Sequence, residues 1–325
     1  MEILEGASSA RSIPIAAILD AAEYVYEAAV RTPLVRLNSS TRGSEIYLKL
    51  EMLQPIGSFK IRGAYNAVRL LEESERSKGV WTVSAGNAAQ GVAFAAAKHG
   101  VTCKVLIIDT APKTKKDAIR RLGGEIVEAS FDDCWRALQE RKHPDMEGCF
   151  VHPFDDNDFI AGNATLGLEI LDDLPDVDCI VAPYGGGGLT CGIGSVMAAL
   201  RPSVKVYGAE PESAAPLARS FSSGNAEIFP DWRATWVDGC GGKSVFESMW
   251  PLAHRVLAGS IVSSLDDIRH ALKLVAKSNH IICEGAGACA VAGGLSGVPT
   301  GKVVCVVSGG NIDLHKFCEL VSQTD

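Results

Sequence analysis

Short runs of apolar, β-branched residues alternate with longer segments of helical periodicity along most of the chain. The runs predict strands and the segments between them predict helices. The predicted strands are Ile46–Lys49, Val80–Val83, Cys103–Ile108, Glu125–Glu128, Cys149–His152, Asp178–Ala182, Val204–Gly208, Ser260–Val262 and Lys302–Val307. The predicted helices are one that opens at Ser12-Ile13-Pro14, then Phe59–Leu71, Ala88–His99, Lys113–Leu122, Phe159–Leu171 and Leu265–Asn279. This alternation is typical of βαβ units, so we expect an α/β fold whose parallel sheets are covered on both faces.

One uncharged stretch, from Cys179 to Leu200, is 22 residues long and has the length of a membrane-spanning helix. It contains six glycines and Pro183, and its first residues have strand character. We therefore interpret the stretch as a buried strand, a glycine loop and a helix, and we expect no membrane partner.

Composition and charge narrow the class of protein further. The chain has 325 residues and a net charge of −8, so it lacks the basic surface of a nucleic-acid binder. Its length is typical of about two domains. The ten cysteines show no CxxC spacing, and acidic residues near the start replace the basic region of a secretory signal. These features predict reduced thiols and a cytoplasmic location.

The loops that follow the predicted strands carry the candidate chemistry, because ligands of parallel sheets bind beyond the carboxyl ends of the strands. The most distinctive is Gly185–Gly188, between an apolar strand and a small-residue helix. Successive glycines let backbone N–H groups turn inwards, and the helix adds the positive end of its dipole. The loop therefore predicts a phosphate site, whereas a merely flexible turn is unusual between two apolar elements.

The same loop nearly fits a second pattern, the dinucleotide fingerprint GxGxxG. Gly186 and Gly188 occupy the first two positions, but Cys191 stands where the third glycine belongs. Glu210 follows at the distance expected of a ribose-binding acid. A nucleotide-binding module without catalysis thus remains open as an alternative from another functional class.

Three further loops place polar side chains at predicted helix starts or strand ends. Lys60 begins a helix, where the positive end of the dipole eases loss of its proton, and a neutral amine is what a Schiff base requires. Its alternative role is that of a solvated surface lysine. Ser84 to Asn87 offer donors for a carboxylate or a ring oxygen, or serve as ordinary helix caps. Ser308-Gly309-Gly310-Asn311 follows the last strand, where it is equally typical of a turn.

Together these segments resemble the fold-type II pyridoxal-phosphate (PLP) enzymes, in particular the serine/threonine dehydratase and serine racemase branch. The resemblance runs from about Thr32 to Asn311, and its most specific element is Gly-Ser-Phe-Lys-Ile-Arg-Gly-Ala at Gly57–Ala64. The supporting segments are Ser84-Ala85-Gly86-Asn87, the glycine tetrad, His152-Pro153-Phe154-Asp155-Asp156 and Asp238-Gly239. The implied fold is that of the tryptophan synthase β-like enzymes, with two interleaved parallel-sheet domains. Residues 1–65 and 151–325 would form the large PLP-binding domain, and residues 66–150 the small domain.

The resemblance also implies how the cofactor PLP is held. Lys60 would form the Schiff base and later move the Cα proton, and Phe59 would pack against the ring. Asn87 would hydrogen-bond the ring hydroxyl, and Ser308 would face the ring nitrogen. The phosphate would be bound by Gly185, Gly186, Gly187 and Gly188. In such enzymes the cofactor supplies the difficult chemistry and the protein orients it.

The implied activity is that of a lyase acting on a small-molecule substrate. Water would leave a β-hydroxy-α-amino acid of the threonine or serine type, and a 2-oxo acid and ammonia would follow. The substrate would lie against Ser84, Ala85, Gly86, Asn87 and Ala88, with Ser84 binding its carboxylate. We expect a homodimer, and an amino-acid racemase is the alternative within the family.

Three departures from the family pattern generate finer expectations. Ala88 replaces a histidine common in dehydratases, which predicts room for a bulky apolar substrate such as phenylserine. Ala85 replaces the second serine of the racemases, which predicts little racemisation. Pro216 replaces an aspartate that helps to bind a divalent cation near Glu210 in many relatives, so we expect no tightly bound metal.

Overall fold

The computed structural model describes residues 11–39 and 43–323, which contain ten strands and thirteen α-helices. The strands are Leu34–Arg36 (β1), Ser44–Leu50 (β2), Val80–Val83 (β3), Cys103–Ile108 (β4), Gly124–Ala129 (β5), Cys149–Phe150 (β6), Cys179–Pro183 (β7), Lys205–Pro211 (β8), Gly259–Ser263 (β9) and Gly301–Val307 (β10). The helices are Ile15–Tyr24 (α1), Lys60–Arg69 (α2), Glu73–Arg76 (α3), Asn87–Lys98 (α4), Lys113–Arg121 (α5), Phe131–Glu140 (α6), Asn157–Asp173 (α7), Gly188–Leu200 (α8), Pro216–Ser223 (α9), Trp250–Val256 (α10), Leu265–Asn279 (α11), Gly285–Leu295 (α12) and Leu314–Ser322 (α13).

The strands form two separate sheets. The larger has the order β1-β2-β10-β7-β8-β9, and the smaller has the order β5-β4-β3-β6. Every neighbouring pair is parallel except β1 with β2. The predicted α/β class with two parallel-sheet bodies is confirmed, and we refer to them as the six-stranded and four-stranded bodies. The finer division at residues 66–150 stays a prediction, which the separate smaller sheet supports.

The larger sheet is buried on both faces. Along β10, Val304 and Val306 point into one apolar cluster, whereas Val303, Cys305 and Val307 point into the other. Side chains on a strand alternate between faces, so a strand that is covered twice must be apolar at every position. The continuous apolar run at the end of the chain therefore reflects a central position in the sheet.

The uncharged stretch from Cys179 to Leu200 folds as the sequence predicts. It contains β7, a glycine loop and α8, and both elements are buried in the six-stranded body. Within the described ranges, no helix combines the length and the apolar character needed to cross a membrane.

A buried ion network fixes α2, the helix that begins at Lys60. The Arg62 guanidinium is fully buried and lies 2.8 Å from a carboxylate oxygen of Glu51 and 2.7 Å from one of Glu169. The Lys49 ammonium also contacts Glu169, at 2.8 Å. Because Lys49 belongs to β2 and Glu169 to α7, the network ties three elements together at the base of the helix.

We expect Arg62→Met to destabilise the fold strongly. The substitution removes the cation and leaves Glu51 and Glu169 buried with fewer partners, which costs about 3–5 kcal/mol. Urea unfolding measures the loss. The matched control is Arg136→Met, which breaks an exposed pair with Asp133 and should change stability by less than about 1 kcal/mol. Equal effects of the two substitutions would contradict the prediction.

Candidate active site

Lys60 lies where the start of α2 meets the carboxyl end of β10. The backbone N–H of Phe59 donates to the carbonyl of Ser308 at 3.0 Å, and Ser58 forms an isolated β-bridge with Gly309. The Lys60 amine donates to the carbonyl of Pro153 at 2.6 Å. The structure therefore brings together three of the predicted site residues, Phe59, Lys60 and Ser308.

The surroundings of the Lys60 amine are apolar. Its nitrogen lies 5.2 Å from the ring centroids of both Phe59 and Phe159. Burial lowers the pKa of Lys60 to about 7, and the nearby Glu284 carboxylate opposes that shift. A large fraction of this amine is therefore neutral at neutral pH, whereas an ordinary lysine is almost wholly protonated. That is the state in which it can act as a nucleophile or a base.

Asn87, the first residue of α4, is held by two side chains. Its amide nitrogen donates to Glu284 at 2.8 Å, and its amide oxygen accepts from Asn311 at 2.8 Å. Glu284 precedes α12, and its backbone N–H donates to the carbonyl of Gly309 at 3.0 Å. This network fixes Asn87 beside the loop that carries Ser308.

Glu284 is a site residue that the sequence reasoning missed. Burial raises its pKa to about 7, repulsion from Asp238 adds to the shift, and the hydrogen bond from Asn87 opposes it. The available signal was a single acid placed directly before the apolar, small-residue helix α12. Such an acid is also typical of a plain helix start, so its partner could not be inferred.

Three glycines of the tetrad, Gly186, Gly187 and Gly188, leave little room for a side chain. A Cβ on Gly186 would fall within the ring of Phe154, and one on Gly188 would lie 3.0 Å from the Phe154 carbonyl. Gly187 has a φ of +92°, which only glycine adopts readily. The loop thus presents bare backbone at the start of α8, where no side chain caps the helix. This is the cradle that a phosphate requires.

One short segment connects the tetrad to Lys60. Pro153 accepts the hydrogen bond from the Lys60 amine, and the next residue, Phe154, packs on Gly186. In the sequence, both residues were identified only as part of a segment that resembles the family, His152–Asp156. In the structure Pro153 contacts the amine and Phe154 contacts the tetrad, so this segment links the two parts of the site.

The predicted substrate loop follows β3. The Ser84 hydroxyl accepts a hydrogen bond from the backbone of Gly86 at 3.1 Å, and nothing lies within 4 Å of a Cβ placed on Gly86. Ala85 is half-buried and Ala88 is buried. Ala89 packs in the core of the four-stranded body. The loop therefore borders open space at Gly86.

The described residues fit pyridoxal phosphate. Lys60, whose lowered pKa favours the neutral amine, lies on one side of Pro153 and Phe154. The glycine backbone suited to a phosphate lies on the other. Two buried hydroxyls next to these groups, Ser58 and Tyr184, have no hydrogen-bond partner within the described ranges. Buried polar atoms seldom remain unpaired in a complete site. Fold and site together define an enzyme that uses this cofactor.

Comparisons with known proteins give the same class. A family model described as pyridoxal-phosphate dependent enzyme matches residues 25–309, and the chain belongs to this family. The L-threonine ammonia-lyase of Thermotoga maritima is 38% identical over 292 residues, which cover 88% of this chain and 72% of that protein. A threonine deaminase isoform from Solanum lycopersicum has a TM-score of 0.84 at 32% identity, covering 95% of this chain and 92% of the other. Maize serine racemase has a TM-score of 0.86 at 30% identity, covering 95% and 96%.

Glu210 is engaged by hydrogen bonds from groups of the protein itself. Its carboxylate accepts hydrogen bonds from the backbone of Leu217 at 2.8 Å and of Ala218 at 2.9 Å, and from the Ser260 hydroxyl at 2.7 Å. It therefore caps α9, which Pro216 begins. In the part of the chain that the structure describes, no group of three or more His, Cys, Asp or Glu could hold a metal ion.

We expect cofactor attachment to follow the titration of Lys60. The lysine pKa is lowered to about 7, so the neutral amine is lost below that pH and is fully present above it. The rate at which the cofactor-free protein regains its visible absorption should rise between about pH 6 and 8 and then level off. Nα-acetyl-lysine mixed with PLP is the control, because its side-chain amine is its single amine, and its rate should rise near pH 10. A protein rate that keeps rising to pH 10 would refute the lowered pKa.

We also expect chelators to leave the enzyme active. Glu210 already accepts three hydrogen bonds, and a single carboxylate provides weak binding for a divalent cation. Ammonia release should be unchanged after dialysis against EDTA. Loss of activity that added Mg²⁺ restores would show that another group supplies the missing ligands.

Proposed function

We propose that this chain is a PLP-dependent dehydratase, which converts threonine or serine into a 2-oxo acid and ammonia. The observation that carries the proposal is the buried Lys60 amine between the rings of Phe59 and Phe159, where α2 meets the loop of Ser308. Its pKa, lowered to about 7 by burial, agrees with this role. Relatives named threonine ammonia-lyase and threonine deaminase support the choice of substrate.

In this proposal each predicted residue has one task toward the cofactor. Lys60 would hold the cofactor covalently, and Phe59, whose ring lies 5.2 Å from the Lys60 amine, would pack beside the cofactor ring. Asn87, which Glu284 holds in place, would orient the ring hydroxyl, and Ser308 would face the ring nitrogen. The bare backbone of Gly185, Gly186, Gly187 and Gly188 would hold the phosphate. When bound, the cofactor withdraws electrons from the Cα atom of the amino acid.

The remaining tasks fall to groups around the substrate. Ser84 and the backbone from Ala85 to Asn87 bind the carboxylate, which places Cα next to the Lys60 amine. The amine removes the Cα proton. Before the reaction, the Pro153 carbonyl orients the amine by accepting its hydrogen bond. Ala88 borders the β-substituent. Proton removal and loss of the β-hydroxyl group on one face together eliminate water. The released enamine product then takes up water and loses ammonia, which gives the 2-oxo acid.

The rival from another class, a nucleotide-binding module without catalysis, loses its main support. Its ribose-binding acid would be Glu210, but that carboxylate is engaged by α9 and Ser260.

We further propose a homodimer located in the cytoplasm. Light scattering after size exclusion tests the oligomeric state, and fractionation of the source cells tests the location.

The direct test is ammonia release from L-threonine and L-serine by the purified holoenzyme. Lys60→Ala should abolish turnover, because it removes the amine that would hold the cofactor and take up the Cα proton. The matched control is Lys205→Met, which should retain full activity. Lys205 is exposed and begins β8, whereas the candidate site lies beyond the carboxyl ends of the strands. A wild-type protein that binds PLP and releases no ammonia from either amino acid would overturn the proposal.

We expect elimination to exceed racemisation on serine. A second base on the far side of Cα is needed to return a proton there, and the methyl group of Ala85 can carry none. Chiral analysis of serine during turnover measures the ratio. Ala85→Ser supplies a hydroxyl and should raise the proportion of racemised serine, whereas comparable rates in the wild type would contradict the prediction.

We expect phenylserine to be accepted at least as well as threonine. Ala88 is buried, and its methyl group replaces a larger, polar imidazole, so we expect an apolar surface toward the substrate at this position; such contacts change discrimination by about 1–3 kcal/mol. Ala88→His should shift the ratio of kcat/KM values back toward threonine about tenfold or more. Ala88→Ser, which changes volume little, is the control. An unchanged ratio in Ala88→His would refute the role of this position.

A further inference from the structure

A long segment without helix connects α9 to α10 and is here called the strap, residues 226–248. It folds back on itself, because Phe229 donates to the carbonyl of Lys243 at 2.8 Å and Val245 donates to that of Glu227 at 3.0 Å. Ile228 and Ser244 form an isolated antiparallel bridge between these contacts. The strap is therefore an ordered hairpin-like structure.

One side of the strap rests on the glycine tetrad. The backbone N–H of Gly241 donates to the carbonyl of Tyr184 at 2.8 Å, directly before the tetrad. A Cβ on Gly185 would lie 3.4 Å from the carbonyl of Gly239. These backbone contacts attach the strap to the six-stranded body at the phosphate cradle.

The other side of the strap reaches the four-stranded body through side chains. The Lys243 ammonium lies 4.0 Å from the ring centroid of Phe131, and the ring of Phe246 packs edge-on against Trp135 at 5.6 Å. Phe131 and Trp135 belong to α6, which packs on the smaller sheet. A salt bridge between Asp238 of the strap and Lys115 of α5 adds a third contact.

Lys243 lies between the aromatic rings of two different elements. Its ammonium is 4.9 Å from the centroid of Trp232, within the strap, as well as 4.0 Å from that of Phe131 on α6. The indole of Trp232 is itself fixed by donating to the carbonyl of Gly241 at 3.3 Å. Lys243 is half-buried, and partial removal of water strengthens cation–π attraction.

We propose that Lys243 is a positioning residue that holds the two bodies together over the Lys60 site. To separate the bodies, the contacts of Lys243 with Phe131, of Phe246 with Trp135 and of Asp238 with Lys115 must all break. Gly239, next to Asp238 in the strap, lies against Glu284, since a Cβ on Gly239 would be 3.2 Å from the Glu284 carboxylate that holds Asn87. These contacts therefore close the side of the site that holds Asn87. This inference rests on the proposed function in one respect, the choice of threonine as the substrate that binds the closed site.

Weakening the closed arrangement should raise KM more than it lowers kcat. A ligand that binds the closed form has an apparent affinity reduced by the fraction of molecules that are open. Lys243→Met should therefore raise the KM for threonine about 3- to 30-fold, the range expected for one cation–π contact. The affinity for PLP should stay unchanged. Lys243→Arg keeps the charge between the rings and should restore the wild-type KM, and Lys205→Met should have no effect.

Hydrogen exchange of the holoenzyme without substrate supplies a second, independent measurement. Lys243→Met should speed exchange in α6 and in the strap and leave exchange in α11 unchanged, because α11 packs mainly on α12 and α13. Lys243→Arg should exchange like the wild type. Phe131→Leu removes the ring from the partner side and should reproduce the result of Lys243→Met.

Two results would overturn the inference. The first is a Lys243→Met protein with unchanged KM and unchanged exchange. The second is a Lys243→Met protein with a lower PLP affinity and a lower unfolding temperature, together with a Lys243→Arg protein that shows the same defects. That result would indicate a purely structural role for Lys243. If the wild type releases no ammonia at all, the proposed function fails, but the exchange comparison still decides whether Lys243 holds the bodies together.

Discussion

The removal of water from the Lys60 amine is the constraint on which the site depends. An amine in water would be protonated at neutral pH and could neither form a Schiff base nor accept a proton. The rings of Phe59 and Phe159 exclude water from the Lys60 amine, and the helix that carries it is fixed by the buried Arg62 network. The contacts that stabilise α2 in the fold thus also hold the reactive lysine in its apolar position.

Parallel sheets explain how distant segments meet at that amine. Lys60 follows β2, Asn87 follows β3, the glycine tetrad follows β7 and Ser308 follows β10. Because the carboxyl ends of parallel strands lie at one edge, each loop needs only its own short motif to reach the others. The loops come from both bodies, so the geometry of the site depends on how the bodies are held together.

The sequence predicted most elements because their patterns are set locally or by full burial. The bounds of α11 were predicted correctly, since its Ser264 cap and amphipathic spacing are visible in the chain. β1 was missed, because it has only three residues at the edge of the sheet. α12 was missed for another reason. Its four glycines disfavour a helix, but they allow close packing, with Gly293 against Val181 and Gly294 against Cys305.

The site was harder to predict where its partners are far apart along the chain. The lysine, the tetrad and the two polar loops each had a local motif, but Glu284 acts on Asn87 across 197 residues, and no local pattern encodes that pairing. Burial shifts the pKa of Lys60 and that of Glu284 in opposite directions, each to about 7, because removal from water disfavours a charge of either sign. The burial that makes the amine reactive therefore also acts on the acid that holds Asn87, and it depends on packing between segments that are distant along the chain.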